Sequence, residues 1–281
     1  MKETNPLFSL LIANYNNGRF FSDCYQSILS QTYKNWEVVL VDDGSTDDSV
    51  AQIKKIIGDD ARFRFFENTE NKGCGFTKRR CAELAHGELC AFVDPDDAIT
   101  PDALEVMVQE HAKYPEASII YSDTYWCDAL LNVQYERKSE QVENGNSYFF
   151  DFDGRIFHFL SFKKLNYEET TGIDAYLQRA IDKDLVLKLY ETGSCYYIEQ
   201  PLYYYRVHNG GISMNSNLDK AYFWYWVAII DAAKRRNINI ENLYLEKALN
   251  TRREIALQKE IEGYNRSLIF KVLRKLGVFR I

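Results

Sequence analysis

The stretch Leu89-Cys90-Ala91-Phe92-Val93-Asp94-Pro95-Asp96-Asp97 joins a short apolar run to a dense acidic turn. The run is short and shows no polar alternation, the pattern of a strand covered on both faces. Toward the N-terminus similar runs occupy residues 7–13, 36–41 and 61–66. Stretches of helical spacing separate them. Residues 18–31 carry Phe20, Phe21, Cys24, Tyr25, Ile28 and Leu29 at such spacing, and residues 50–57 and 73–85 form two more. Ser45 reads as the N-cap of the helix over 50–57, with Asp48 completing a capping box. Alternating strands and helices imply an α/β fold: a mostly parallel sheet with helices on both faces.

Ligands of such sheets lie beyond the carboxyl ends of the strands. Three polar clusters fall there: Asn14-Tyr15-Asn16-Asn17, Asp42-Asp43-Gly44-Ser45 and Asp94-Pro95-Asp96-Asp97. Carboxylates two residues apart after a buried strand suit a hard divalent cation such as Mg²⁺ or Mn²⁺. Asp42 and Asp43 precede the Ser45 cap and face the rim, where a carboxylate accepts hydrogen bonds from a nucleobase or a ribose.

Further along, Thr100 caps a helix with Pro101 at its first position. A strand follows over 118–125, and an aromatic, irregular region over 130–170 reads as a loop-rich substrate surface. Residues 175–190 read as helix, 196–207 as extended chain, and the chain after Leu218 as mostly helical. This divides the chain into 1–100, 101–215 and a helical extension over 216–281. The longest apolar run, 222–230, falls short of the ~20 residues that cross a bilayer.

The 281 residues carry a formal charge of −7, which argues against a nucleic-acid partner. The N-terminus shows no secretory leader. Six cysteines without paired spacing read as buried free thiols in a reducing compartment, placing the protein in the cytoplasm. Residues 266–281 are different: Arg266, Lys271, Arg274, Lys275 and Arg280 are interleaved with apolar residues and no acid. That segment reads as an amphipathic helix, either lying on the inner face of an anionic membrane or docked on protein.

Taken in order, Asn14-Tyr15-Asn16, Val41-Asp42-Asp43-Gly44-Ser45-Thr46-Asp47, Asn71-Lys72-Gly73, Ala85-His86-Gly87-Glu88 and Phe92-Val93-Asp94-Pro95-Asp96-Asp97 resemble the family 2 glycosyltransferases of the GT-A (Rossmann-like) fold. The match runs over about residues 7–210. The resemblance implies a mixed, mostly parallel sheet and an inverting transferase using a nucleotide-diphosphate sugar, most commonly a UDP-sugar, with dTDP and GDP as alternatives. It implies that the Ala13-Asn14-Tyr15-Asn16 stretch lies at the nucleotide, with Tyr15 stacked on the base and Asp43, beside Asp42, hydrogen-bonded to it. Asp94 would sit near the ribose, and Asp96 would hold Mn²⁺ or Mg²⁺ at the diphosphate. Lys78 stands where relatives have a basic residue, commonly Arg, near the diphosphate. Lysine lacks the guanidinium fork, so Arg79 or Arg80 is an alternative.

The segment from Arg179 to Leu189 resembles the family's acidic helix start and puts the catalytic base at Asp182, with Asp184 and Asp174 as alternatives. Tyr205-Arg206-Val207-His208-Asn209-Gly210 resembles the closing loop, with His208 on the metal or the diphosphate. His158 is expected to face the acceptor, and His86 and His111 to lie on the surface. The acceptor implied is a saccharide or a lipid-linked saccharide. Two rival readings are a sugar-nucleotide pyrophosphorylase, whose basic glycine-rich loop after the first strand is missing from Asn14-Tyr15-Asn16-Asn17-Gly18-Arg19, and a non-catalytic donor-binding protein.

Overall fold

A computed structural model describes residues 5–208, 218–249 and a few positions between 257 and 267. The N-terminal half alternates β1 (Phe8–Asn14), α1 (Phe21–Leu29), β2 (Trp36–Asp42), α2 (Ser49–Ile57), β3 (Phe63–Glu67), α3 (Cys74–Leu84) and β4 (Leu89–Phe92). Then follow β5 (Ala98–Ile99), α4 (Ala103–Lys113), β6 (Ala117–Cys127), β7 (Val133–Arg137), β8 (Leu160–Lys163), α5 (Lys164–Glu168), α6 (Ile181–Tyr190) and β9 (Ser194–Arg206). Two helices, α7 (Leu218–Arg235) and α8 (Glu241–Tyr244), follow.

One nine-stranded sheet runs in the order β3-β2-β1-β4-β8-β6-β9-β5, with β7 added to β6. Strands β1 to β4 are mutually parallel, and β8 is antiparallel to both β4 and β6. The apolar runs are unbroken because both faces of the sheet are covered. Along β1 and β2, Phe8, Leu10, Ile12, Val38 and Leu40 enter one core, while Leu11, Val39 and Val41 enter the other. Burying each such side chain contributes roughly 1.5–3 kcal/mol.

Strand order reverses at β1, which lies between β2 and β4. The loops after β1 and β4 therefore diverge and leave a crevice at the carboxyl edge. The mixed, mostly parallel sheet flanked by helices is as expected. The chain forms two compact units, Met1–Ala232 and Ala233–Ile281, and the whole sheet belongs to the first.

Several local expectations are corrected. Ser45 does not cap α2: its hydroxyl donates to Asp42 at 2.6 Å, and the helix begins only at Ser49. The adjacent carboxylate outcompetes the helix end for that hydroxyl. Nor does Thr100 cap α4. That helix begins at Ala103, and Gln31 accepts from the Leu104 amide across the fold. Residues 175–180 are not helical, because Ala180 sits at φ 57° and the Leu177 carbonyl is spent on the Gly75 amide. The 130–170 region contains β7 and also β8, an inner strand of only four residues. His111 is buried, not on the surface, and contacts the Ser161 hydroxyl at 3.0 Å.

All six cysteines are free and five of them are buried. No described helix is long and apolar enough to cross a membrane. The basic segment 266–281 lies outside the described residues apart from Ser267.

Candidate active site

The loop after β1 meets the loop after β2. Asn14 donates from Nδ2 to Asp42 Oδ2 at 2.7 Å, and Asp42 also accepts from the Ser45 amide and hydroxyl at 2.8 and 2.6 Å. Fully buried, Asp42 is thereby engaged within the turn it begins. Asn16, at φ 52°, accepts from the Thr46 amide at 2.8 Å and ties the two loops together. Half-buried Ala13 ends the apolar run, and Tyr15 projects with 45% of its surface exposed.

Asp43 is buried at the next position. Its Oδ1 accepts from the Asn68 side chain at 2.7 Å and the Lys72 amide at 2.9 Å, and its Oδ2 accepts from the Gly73 amide at 2.9 Å. The Asn71-Lys72-Gly73 motif thus wraps around a carboxylate at the mouth of α3. Gly73 is at φ 94°, a conformation open to glycine at little cost.

Helix α3 carries Lys78 inward. Its fourth-neighbour Ala82 and third-neighbour Cys81 lie in the core, so Lys78 shares their face and is only 5% exposed. Arg79 and Arg80 point elsewhere, toward the Thr171 and Ile173 carbonyls and toward Asn68, so neither substitutes for Lys78. Lys78 Nζ lies 3.2 Å from Asp94 Oδ1 and 3.1 Å from Asp182 Oδ1. Burial alone would lower the lysine pKa, but the Asp182 and Asp94 charges outweigh it and hold it well above the ordinary value.

Asp182 stands in the first turn of α6, positioned by Ile181, Leu185 and Leu189, which are buried together one turn apart. Its side chain is 47% exposed, and His158 Nε2 lies 3.9 Å from its other oxygen. Burial would raise its pKa; Lys78 and then His158 oppose this and keep the carboxyl below its usual range. The alternatives are engaged: Asp184 is buried against Lys188 at 2.8 Å, and Asp174 accepts from the Tyr176 amide.

The turn after β4 holds the remaining acids. Asp96 Oδ2 and His208 Nε2 are 2.7 Å apart, and the His208 ring lies 4.8 Å from that of Phe20. Asp97 is buried; Tyr203 donates to it at 2.7 Å and the Arg206 amide at 2.7 Å. Burial, then the charges of Asp96 and Asp94, push the Asp97 carboxyl well up. The buried Arg206 guanidinium donates to the Asp96 carbonyl, the Ala129 carbonyl and Asp23.

Sequence reasoning missed this Tyr203–Asp97–Arg206 network. The sole signal was an acid after β4 with no assigned task, and its partners lie more than a hundred residues away. His158 does stand beside Asp182, while His86 is exposed and its motif is structural: the Gly87 amide donates to the Ser9 hydroxyl at 2.8 Å. Among the described residues no group of three or more acidic, histidine or cysteine side chains is placed to hold a metal by itself.

The fold and the sequence both have known counterparts. The solved structure of S. aureus TarS 1-349 in complex with UDP-GlcNAc superposes with a TM-score of 0.65 at 19% identity, covering 79% of this chain and 66% of that one. The mannosyltransferase PcManGT from Pyrobaculum calidifontis, in complex with GDP-Man and Mn²⁺, gives 0.66 at 17% identity over 98% of this chain and 80% of that one. Chondroitin synthase of Escherichia coli is 29% identical over 220 residues, 76% of this chain and 31% of that protein. Hyaluronan synthase of Pasteurella multocida is 26% identical over 216 residues, 74% of this chain and 21% of that protein. The chain thus spans between a fifth and a third of the length of these two relatives. The sequence model of glycosyl transferase family 2 matches residues 9–176, which takes in the loops after β1, β2 and β4, and the chain belongs to that family.

Proposed function

We propose that the protein transfers a sugar from a nucleotide-diphosphate donor, a UDP-sugar, to a hydroxyl of a saccharide or lipid-linked saccharide, with inversion at the anomeric carbon. The observation that carries this reading is Lys78, a buried cation bridging Asp94 on the donor side and Asp182 on the acceptor side. A glycosyl transition state builds negative charge on the departing diphosphate while the attacking hydroxyl sheds a proton. A cation and a base side by side serve both needs.

In this reading Tyr15 stacks on the nucleobase, Asp43 borders it, and Asn14 and Asp42 hold the turn in shape. Asp94 faces the ribose. Asp182 takes the acceptor proton, and Lys78 keeps it ionised while lying next to the leaving phosphates. With one base and no second carboxylate placed as a nucleophile, a single displacement follows.

The donor set of Asp96 and His208, a carboxylate and an imidazole 2.7 Å apart, fits Mn²⁺ or Mg²⁺ completed by the donor's own phosphates and water. Such an ion would neutralise charge on the leaving diphosphate as a Lewis acid. Support comes from the UDP-GlcNAc and GDP-Man/Mn²⁺ complexes of the structural neighbours and from the synthase names of the relatives. A cytoplasmic location, with residues 266–281 resting on the membrane near a lipid-linked acceptor, completes the reading.

The test is turnover of a panel of UDP-sugars with Mn²⁺, followed by the anomeric configuration of the product. Inverted product, lost in Asp182→Asn with nucleotide binding intact, supports the proposal. Retained configuration, or undiminished turnover in Asp182→Asn, contradicts it.

A further inference from the structure

A row of rings leads across the rim to the base. Trp126 on β6 is in register with Tyr135 on β7 and with Tyr205 on β9, so aromatic side chains of three adjacent strands share one face. The ring centroids of Trp126 and Tyr135 are 5.8 Å apart and those of Trp126 and Tyr205 4.6 Å apart. Phe157 joins at 6.2 Å from Trp126. The next residue, His158, stacks on Tyr205 at 6.1 Å and reaches Asp182. Trp126, Tyr135 and Phe157 belong to neither core, and Tyr135 is 53% exposed.

Arg137 lies two residues beyond Tyr135 and so on the same face. Its guanidinium is 3.8 Å from the Phe157 centroid and 6.0 Å from that of Trp126, and it donates to the Gly154 carbonyl at 3.3 Å. No ion pair joins it to a carboxylate among the described residues, although the cationic neighbours Lys138 and Arg155 each have an acidic partner. The acid that acts on it, Asp151, is itself paired with Lys183 at 2.7 Å. A partly buried guanidinium held among rings without an ion pair of its own favours an anion from outside.

We propose that this row is the acceptor subsite and takes an anionic saccharide: a pyranose face lies on the exposed Tyr135 ring at the open end of the row, its carboxylate or phosphate pairs with Arg137, and the acceptor hydroxyl of the saccharide lies toward Asp182. This rests on the transferase reading above. Sugar rings suit aromatic faces because their C–H edges meet the negative π-face, and Arg is suited to either oxyanion through its planar fork.

The experiment titrates the full chain separately with methyl β-D-glucuronide, glucose 6-phosphate and methyl β-D-glucoside, following the indole resonance assigned through Trp126→Phe. UDP binding is measured on the same samples. The expected result is that at least one anionic sugar binds about tenfold more tightly than the neutral glucoside, a difference of about 1.4 kcal/mol. That preference vanishes in Arg137→Gln, returns in part in Arg137→Lys, and leaves UDP binding unchanged. Which anion binds better separates a uronate acceptor from a sugar-phosphate one. Equal binding of all three sugars, a preference that survives Arg137→Gln, or no response of the Trp126 resonance to any of them overturns the proposal. Sugar binding without any UDP binding removes the donor reading and leaves the subsite standing.

Discussion

Lys78 is a charge in a place where charges are expensive, and its two carboxylate partners account for its presence there. Removing one member of a buried ion pair costs on the order of 3–5 kcal/mol when the other is left desolvated. The half-open Asp182 lessens that cost, so Lys78→Gln is expected to fold and to reveal itself in the pH profile. In its proposed role as base Asp182 acts only when ionised, and the lysine holds its pKa down against burial. Activity is therefore lost as pH falls through that depressed pKa. Without Lys78 the acid limb of kcat/KM moves to higher pH, whereas an unmoved limb would separate the two residues. Asp182→Asn is expected to lower kcat by about 10²- to 10⁴-fold, the usual range for a general base, with nucleotide affinity unchanged in a binding titration. Asp94 and Asp96 stand out in the sequence as carboxylates two apart at the end of an apolar strand, whereas Asp182 is reached only through the resemblance of its segment to the family's acidic helix start. The burial of Lys78 could not be read there, since it depends on how α3 lies against β1 and β2. Tyr203 and Arg206 were hidden for the same reason, because their common partner Asp97 lies in the turn after β4, more than a hundred residues away in the chain.

At the scale of the element, α4 presses His111 against β8, where Nε2 meets the Ser161 hydroxyl and buried Nδ1 finds no hydrogen-bond partner among the described residues. Burial, with Lys163 adding to it, lowers the imidazole pKa to about 3. The folded protein therefore keeps His111 neutral, while the unfolded chain takes up a proton near pH 6.5. Stability from this group is complete above that pH and falls as pH drops toward 3. By linkage the loss between pH 7 and pH 5 is about 2 kcal/mol. Urea unfolding of His111→Gln at the two pH values is expected to show that much less pH dependence than the parent, and equal dependence would refute the assignment. The early β and α elements were legible because their apolar periods are regular and their cores lie on both faces of the sheet. Ser45 was misread because Asp42, three residues before it in the same turn, took its hydroxyl. Thr100 and residues 175–180 were misread because a tertiary partner, Gln31 or Gly75, took the hydrogen bond that local rules assign to a helix. Strand β8 was missed because four residues within an aromatic stretch carry too little periodicity to register.

For the whole molecule, charge is divided unevenly: the chain is −7 overall, yet its last sixteen residues carry five basic side chains and no acid. Deleting 266–281 is expected to reduce binding to anionic liposomes while leaving nucleotide binding intact, and undiminished sedimentation with liposomes would reject membrane attachment. The loops after β1, β2 and β4, the proposed base Asp182 and the aromatic row all lie in the unit Met1–Ala232, where one sheet spans both sequence halves, 1–100 and 101–215. Donor binding is therefore expected to stabilise that unit as a whole. The most direct measurement is the thermal unfolding of the full chain with UDP, GDP or dTDP, each with and without Mn²⁺, in parallel with Asp96→Asn. At a hundredfold excess over Kd, linkage gives about 2.7 kcal/mol of added stability. The expected result is stabilisation by UDP that requires Mn²⁺ and disappears in Asp96→Asn. Folded protein that responds to no nucleotide, with or without metal, would contradict the account.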